Sequence, residues 1–253
     1  MKAVIITVAG ISSRFNEEIP EEQRKLKAIY YEDEAKKTLL YQMVEKNKGK
    51  DLIVVVGGYK FDDLEEYIKL NISPETAKKI ILINNPHYED LSSGYSLYLG
   101  IEALKNKEIT EVVFIEGDLH VDGETFDKVK ASAKNVITTT SEPILSKKSV
   151  VLYKDAGDKY KYAFNSSHGL LEIKEPFKEI YNSGQTWKFT DMQRLFTASD
   201  GYFCNAKEGT NLEIINRYFM DVDSQDVEIL RFKEWVNCNT REDYEGIKRN
   251  WGN

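Results

Sequence analysis

The residues best suited to chemistry begin at the turn Ala9-Gly10-Ile11-Ser12-Ser13-Arg14-Phe15, which breaks the short apolar run from Ala3 to Val8. A strand that ends in glycine and small hydroxyl residues lets backbone N–H groups approach an anion closely. Arg14 adds a fixed cationic fork suited to phosphate, and Lys27, further along, adds a mobile point charge. Together they describe a cradle for a triphosphate. An ordinary reading stands beside it, since a strand followed by Gly-x-Ser-Ser is common in α/β proteins. The turn is not a P-loop, because no Gly-Lys-Ser/Thr closes it. Nor is it a dinucleotide fingerprint, because Gly10 lacks the second and third glycines.

Asp118 is the sharpest single residue. It follows the apolar run Val112-Val113-Phe114-Ile115, and a carboxylate there suits a Mg²⁺ held by one or two protein oxygens plus substrate phosphates. Gly117-Asp118 is also ordinary turn chemistry. Asn239, in Asn237-Cys238-Asn239-Thr240, offers a second oxygen or simply a helix-entry turn. His87, His120 and His168 are more often surface or hydrogen-bonded residues than ligands, and no Ser/His/Asp arrangement is evident.

The elements that must position these residues alternate. Ala3–Val8, Leu52–Val56, Lys79–Ile83 and Glu111–Ile115 read as strands, and continuous β-branched runs of this kind are buried on both faces of a parallel sheet. Helical periods fill the gaps at 38–46, 61–70 and 92–104, with Ser92 or Ser93 as a cap for the last. The alternation predicts an α/β, Rossmann-like fold: a mostly parallel central sheet flanked by helices, with ligands at the carboxyl ends of the strands. Gly10, Gly58, Asn85 and Asp118 all fall on that edge.

From 150 to 200 the texture changes to short, aromatic-rich segments, including Tyr153, Tyr160, Tyr162, Phe164, Trp187 and Phe189. Strands are expected at 150–153, 160–164 and 170–173, and helices at 177–182 and 190–196. This reads as a smaller, mainly antiparallel lobe inserted into a single domain whose α/β core is 1–149 and 201–253. The core resumes with a helix at 212–219, a strand at 227–230, a segment at 235–239 returning to the sheet, and a last helix capped by Thr240.

The chain of 253 residues is 41% hydrophobic and 30% charged, enough for one large core. Its net charge of −7 argues against a nucleic-acid partner, and no apolar run approaches the roughly 18 residues that span a bilayer. The amino-terminal run is too short for a signal peptide and reads as a strand. Cys204 and Cys238 show no metal-ligand spacing. A reduced, cytoplasmic protein is expected.

The motifs resemble a family. Val8 to Phe15 looks like the Ala-Ala-Gly-x-Gly-Ser/Thr-Arg signature of nucleotidyltransferases with the glycosyltransferase-A-like, Rossmann-like fold. Leu26-Lys27-Ala28-Ile29 resembles their Pro-Lys-x-Leu, and Phe114 to Asp118 the strand bearing the metal aspartate. Tyr88 to Leu99 is similar to the base-side loop and helix of the phosphocholine cytidylyltransferase branch. Asn237 to Asp243 resembles the late Asn/Asp-x-Asn/Asp-Thr-x-Glu-Asp motif. Three positions depart: Ser12 for the second glycine, Leu26 for proline, and Asn239 where the phosphocholine branch has aspartate.

The resemblance implies a Mg²⁺-dependent transfer of a nucleoside monophosphate, CMP from CTP being favoured, onto a small phosphorylated acceptor such as phosphocholine. It implies that Arg14 and the backbone of Ala9, Gly10, Ile11, Ser12 and Ser13 hold the β- and γ-phosphates. Lys27 would neutralise the α-phosphate and the acceptor, and Asp118 and Asn239 would hold Mg²⁺. Gly58, Ser92 and Ser93 would face the base and ribose. The aromatics of the lobe, Trp187 first and Tyr153 with it, are expected to box a quaternary ammonium by cation–π attraction; core packing is the competing role. A sugar-1-phosphate nucleotidyltransferase and a non-catalytic nucleotide-binding module are the alternatives.

Overall fold

The computed structural model describes residues 1–145, 150–163 and 171–251. Phe164, Asn165, His168 and the first residue of the strand expected at 170–173 lie outside them. In chain order the elements are β1 (Lys2–Thr7), α1 (Leu39–Asn47), β2 (Leu52–Gly57), α2 (Phe61–Asn71), α3 (Pro74–Ala77), β3 (Ile80–Asn84) and α4 (Ser93–Glu102). They continue with β4 (Glu111–Glu116), β5 (Leu119–Val121), α5 (Gly123–Ala131), β6 (Asn135–Thr140), β7 (Val151–Asp155) and β8 (Tyr160–Ala163). The chain closes with β9 (Phe177–Phe189), α6 (Met192–Asn205), α7 (Asn211–Phe219), β10 (Val227–Arg231), β11 (Trp235–Asn237) and α8 (Arg241–Lys248).

Among the described residues, nine strands form one sheet with the order β10-β6-β9-β4-β1-β2-β3, and β7 and β8 join it through β9. The β4-β1-β2-β3 portion is parallel, as is β10 on β6. This is the expected mostly parallel α/β sheet. The apolar runs carry no alternation because both faces are covered. Ala3, Ile5, Val54, Val56, Val112 and Phe114 pack into one buried cluster. Val4, Ile6, Ile53, Val55, Val113 and Ile115 pack into another on the opposite face. Helix starts follow their capping chemistry. Thr38 caps α1 through the Tyr41 N–H, and Thr240 and Asp243 form a reciprocal capping box on α8.

Residues 171–173, the described part of the strand expected at 170–173, form no named strand, and two further expectations fail in instructive ways. Residues 177–182, expected to be helical, open β9, a 13-residue strand. Its first half pairs with β7, and its second half runs antiparallel between β4 and β6 in the central sheet. Pairing with β7 overrides the local helical period there. Likewise 235–239 does not rejoin the main sheet: β11 forms a separate two-stranded antiparallel sheet with β5. That hairpin-like pairing lays Asn237 opposite Leu119, which brings Asn237 and Asn239 beside Asp118.

Trp187 is part of the core. It is 0% exposed, its ring stacks on Phe114 at 5.2 Å and 11°, and its Nε1 donates to the Tyr162 hydroxyl at 2.7 Å. Trp187→Ala should therefore cost about 3–5 kcal/mol of stability, the range for deleting a large buried aromatic. Urea denaturation checks this: a lower midpoint at unchanged slope is expected, whereas an unchanged midpoint would contradict the core role.

Candidate active site

The carboxyl ends of β1 and β4 meet so closely that only glycine fits between them. A Cβ on Gly117 would lie 2.3 Å from Val8 Cγ1 and 2.6 Å from the Thr7 carbonyl. The Gly117 N–H donates to that carbonyl at 2.9 Å. A similar approach explains Gly58, whose added Cβ would meet Tyr88 Cβ at 2.6 Å and Ala9 at 3.0 Å. Gly58 thus lets the end of β2 seat the Ala9 turn, and it does not itself line the cleft that opens there.

That cleft measures about 230 Å³ and is lined by Val8 to Gly10, Ser12, Leu26 to Ala28, Asn85, Tyr88, Leu91 to Ser93, Ser96 and Glu116 to Asp118. Of the residues expected from sequence, it gathers Ala9, Gly10, Ser12, Lys27, Ser92, Ser93 and Asp118. Ile11 is 46% exposed and, like Ser13, stands outside the lining. Arg14 and Asn239 meet at the rim, where Arg14 Nη2 donates to Asn239 Oδ1 at 2.8 Å.

Lys27 ties the pieces together. Its Nζ donates to Asp118 Oδ2 at 3.0 Å and to the Cys238 carbonyl at 2.7 Å. The Cys238 N–H in turn donates to the Asp118 carbonyl at 2.8 Å. The segment carrying Arg14 and Lys27 has no regular structure beyond short 3₁₀ turns, so packing must fix it. Phe15, Tyr30 and Tyr244 stack edge to face at 5.1 and 4.9 Å, and the Arg241 guanidinium lies 4.5 Å from the Tyr30 ring centre.

Ser12 stands where the resembled signature has glycine, and its φ of 56° shows why glycine suits the position. Its hydroxyl compensates, accepting the Lys27 backbone N–H at 3.2 Å and so linking the turn after β1 to the lysine.

A metal site can be tested against these residues. Asp118 Oδ1 and Asn237 Oδ1 are buried and have no hydrogen-bond partner, which leaves two oxygens for a cation. Asn239 Oδ1 is already used by Arg14. No cluster of three His, Cys, Asp or Glu side chains able to hold a metal occurs among the described residues. The donor set therefore fits a hard cation that takes its remaining oxygens from substrate phosphates.

The expected acceptor box is not assembled. Trp187 is sealed in the core, and Tyr153, on β7, donates to Glu175 at 2.7 Å and does not line the cleft. The physical reason is that Trp187 and Phe189 pack into the buried cluster on one face of the sheet. Tyr88 is the aromatic lining the cleft among the described residues. His87 pairs with Asp90 at 3.0 Å on an exposed loop. His120 accepts from Trp251 Nε1 at 3.1 Å, and burial, together with the nearby Lys46 ammonium, pushes its imidazole down to about 4. Neither lines the cleft.

Asn85, expected on this edge, and Glu116, not singled out from sequence, also belong to the site. Asn85 is buried, donates to Ser96 Oγ at 2.9 Å and accepts the His87 N–H at 2.8 Å, bracing the cleft wall. Glu116 accepts from Asn211 Nδ2 at 2.6 Å and from Gln185 Nε2 at 3.0 Å. Its position before Gly117-Asp118 was the available signal, since a carboxylate closing a buried strand faces the same edge. Desolvation, and then the neighbouring Asp118 charge, push the Glu116 carboxyl up to about 8.

A raised carboxyl pKa makes ionisation costly in the folded state. The unfolded group ionises near its ordinary 4.5, so this group's contribution to stability is complete below that pH and is lost as pH rises towards about 8. Glu116→Gln should remove that loss. Thermal melts from pH 4 to 9 in a chelator should show the variant gaining on the parent as pH rises; parallel profiles would refute the shift.

With this geometry in view, comparison with solved structures shows the same fold. CTP:phosphocholine cytidylyltransferase from Streptococcus pneumoniae aligns over 99% of this chain and 99% of its own, with TM-score 0.62 and 15% identity. The inositol-1-phosphate CTP transferase of T. maritima aligns over 97% of this chain and 94% of its own, with TM-score 0.67 and 15% identity. A UDP-glucose pyrophosphorylase complexed with UDP-glucose aligns over 99% and 98%, with TM-score 0.66 and 14% identity. The likeness to nucleotidyltransferases read in the motifs is therefore matched by the fold along nearly the whole chain. Comparison with curated proteins gave no match. A family model covers residues 23–251, and the chain belongs to that family, described as a domain of unknown function (DUF6564).

Proposed function

We propose that this protein is a nucleotidyltransferase that joins a nucleoside monophosphate to a phosphorylated acceptor and releases pyrophosphate. The observation that carries the reading is the bridge of Lys27 Nζ between Asp118 and the Cys238 carbonyl, at the open end of a glycine-containing turn. It places a mobile cation and a carboxylate with a spare oxygen side by side where phosphates would lie.

An acceptor phosphate oxygen attacks the α-phosphorus. The new P–O bond forms as the bond to the α–β bridging oxygen breaks, and pyrophosphate leaves with that electron pair. Such a transfer needs positioning and charge neutralisation more than covalent help. Backbone N–H groups from Ala9 to Ser13, with Arg14, hold the β- and γ-phosphates. Lys27 swings from Asp118 to the α-phosphate and the incoming acceptor. Asp118 would hold the metal, with Asn237 or Asn239 supplying a second oxygen. A bound Mg²⁺ would neutralise charge on the phosphate oxygens. Ser92 and Ser93 face the base and ribose.

CTP and phosphocholine are supported by the likeness of Tyr88 to Leu99 to the phosphocholine branch. The second reading, a sugar-phosphate acceptor, is favoured by one observation: Trp187 and Tyr153 are withdrawn from the cleft, and its wall carries the amide-held Glu116 instead. A non-catalytic module would bind a triphosphate without releasing pyrophosphate.

A thermal-shift screen of the four triphosphates with Mg²⁺, followed by pyrophosphate release with each, tests transfer itself. Asp118→Asn is expected to fold normally and to lower turnover by roughly two orders of magnitude or more, as when a principal electrostatic stabiliser is lost. A fully active, metal-dependent variant would remove Asp118 from the metal site. Lys27→Ala should damage turnover far more than Lys25→Ala, because the Lys25 side chain is exposed whereas Lys27 points into the cleft. Equal losses in steady-state assays would show that the wrong lysine has been assigned.

A further inference from the structure

A second cavity adjoins the cleft, between residues 25–31 and one face of α2. It measures about 560 Å³, against about 230 Å³ for the cleft. Asp63, Glu66, Tyr67, Leu70 and Asn71 line one side, and their spacing places them on a single stripe of α2. Ile29, Tyr30 and Tyr31 line the other side. Leu70 is 70% exposed, the most of any large apolar side chain among the described residues, and Tyr31 is 43% exposed. The groove thus leaves apolar surface in water that a ligand could cover. Its charge says which ligand. Asp63 and Glu66 line it together with a single cation, Lys25. The Asp63 partner, Lys60 at 3.8 Å, stands outside the lining, and Glu66 makes no ion pair among the described residues. Asp62 and Glu65, exposed on the same helix, add to the negative field. Such a groove repels nucleotides and other phosphates and attracts ammonium ions. Carboxylates beside tyrosine rings and an exposed leucine suit a cation that carries apolar groups.

The groove and the cleft share a wall. Leu26 lines both, and the next residue is Lys27. Asn16, only 2% exposed, ties that wall to the turn after β1. Its Nδ2 donates to the Lys25 carbonyl at 2.8 Å and to the Ser12 carbonyl at 3.0 Å, and its Oδ1 accepts the Lys25 N–H at 2.9 Å. We propose that this groove is a second ligand site, taking a small organic ammonium ion with an apolar body, and that its occupancy tightens triphosphate binding in the cleft. The coupling, though not the site, rests on the nucleotidyl-transfer reading above. The segment bearing Lys27 has no regular structure beyond short 3₁₀ turns. A ligand packed against Leu26 and Ile29 orders that segment in advance, so the triphosphate loses less conformational freedom when it binds.

Titration calorimetry of the full chain tests this, with benzyltrimethylammonium as the cation and benzoate as an anion of similar build. Saturable binding of the cation and none of benzoate is expected. Glu66→Lys and Leu70→Ser change exposed side chains outside the cleft, and thermal melts check that both variants fold. Each should weaken the cation, Glu66→Lys by about tenfold, since it replaces an attraction by a repulsion. The four triphosphates are then titrated with Mg²⁺ at rising cation concentration. The affinity of whichever binds should increase about fivefold to a plateau in wild type, and less in Glu66→Lys at the same cation concentrations. No saturable cation binding, binding that both variants leave intact, or an unchanged triphosphate affinity at saturation would overturn the proposal. So would a triphosphate affinity that falls without a plateau, the mark of competition within the cleft. A protein that binds no triphosphate with or without the cation would overturn the transfer reading and the coupling, while cation binding weakened in Glu66→Lys would still assign the groove.

Discussion

The site depends on one bridging cation. Lys27 Nζ joins three stretches that are remote in sequence: the irregular segment after β1, the end of β4, and the strand leading to α8. With Asp118 at 3.0 Å and both side chains only partly exposed, the gross attraction is a few kcal/mol, and desolvation offsets much of it. That balance makes the contact strong enough to order the site and weak enough to exchange, as the proposed phosphate binding requires. The surrounding structure makes such an exchange possible by holding the backbone still. Gly117 lets β1 and β4 close up, and the Phe15, Tyr30 and Tyr244 rings with Arg241 pin the lysine's segment to the last helix.

The departures from the resembled motifs have local physical counterparts. Ser12 accepts a backbone geometry that favours glycine, and its hydroxyl holds the Lys27 backbone in return. Leu26, in place of proline, is 2% exposed and packs in the core beneath the cleft, so burial rather than a fixed φ holds the chain there. Asn239 is neutral and is engaged by Arg14, which leaves Asp118 with the greater part of any metal binding.

The cleft wall next to β9 has a different character from the one expected. Trp187 and Phe189 do not present a cage, because these large rings find more apolar surface in the core than at the rim: Trp187 on Phe114, and Phe189 against Tyr218 at 4.7 Å. What reaches the cleft instead is a polar relay from Asn237 through Gln185 to Glu116 and Asn211, built on a bulge and a strained residue. Energy spent on such a distortion marks a position where local stability has been traded for placement.

The amino-acid sequence by itself determined the alternation of strands and helices, the parallel sheet, and the edge on which Gly10, Gly58, Asn85 and Asp118 stand, because these follow from periodicity, capping and turn chemistry within short windows. The likeness of its motifs to nucleotidyltransferases was legible for the same reason: each motif is a local cluster. Tertiary structure alone decided the rest. Residues 177–182 have a helical period but become strand because β7 offers a hydrogen-bonding edge along them and the rest of β9 continues into the central sheet. The short strands β5 and β6 are ordered by partners remote in sequence, β11 for one and β9 and β10 for the other. Trp187 could not be told from a ligand-binding aromatic by type, since only burial separates a core indole from an exposed one. Glu116 is oriented by Gln185 and Asn211, which are 69 and 95 residues away. No local rule encodes such distances; they exist only once the sheet has formed.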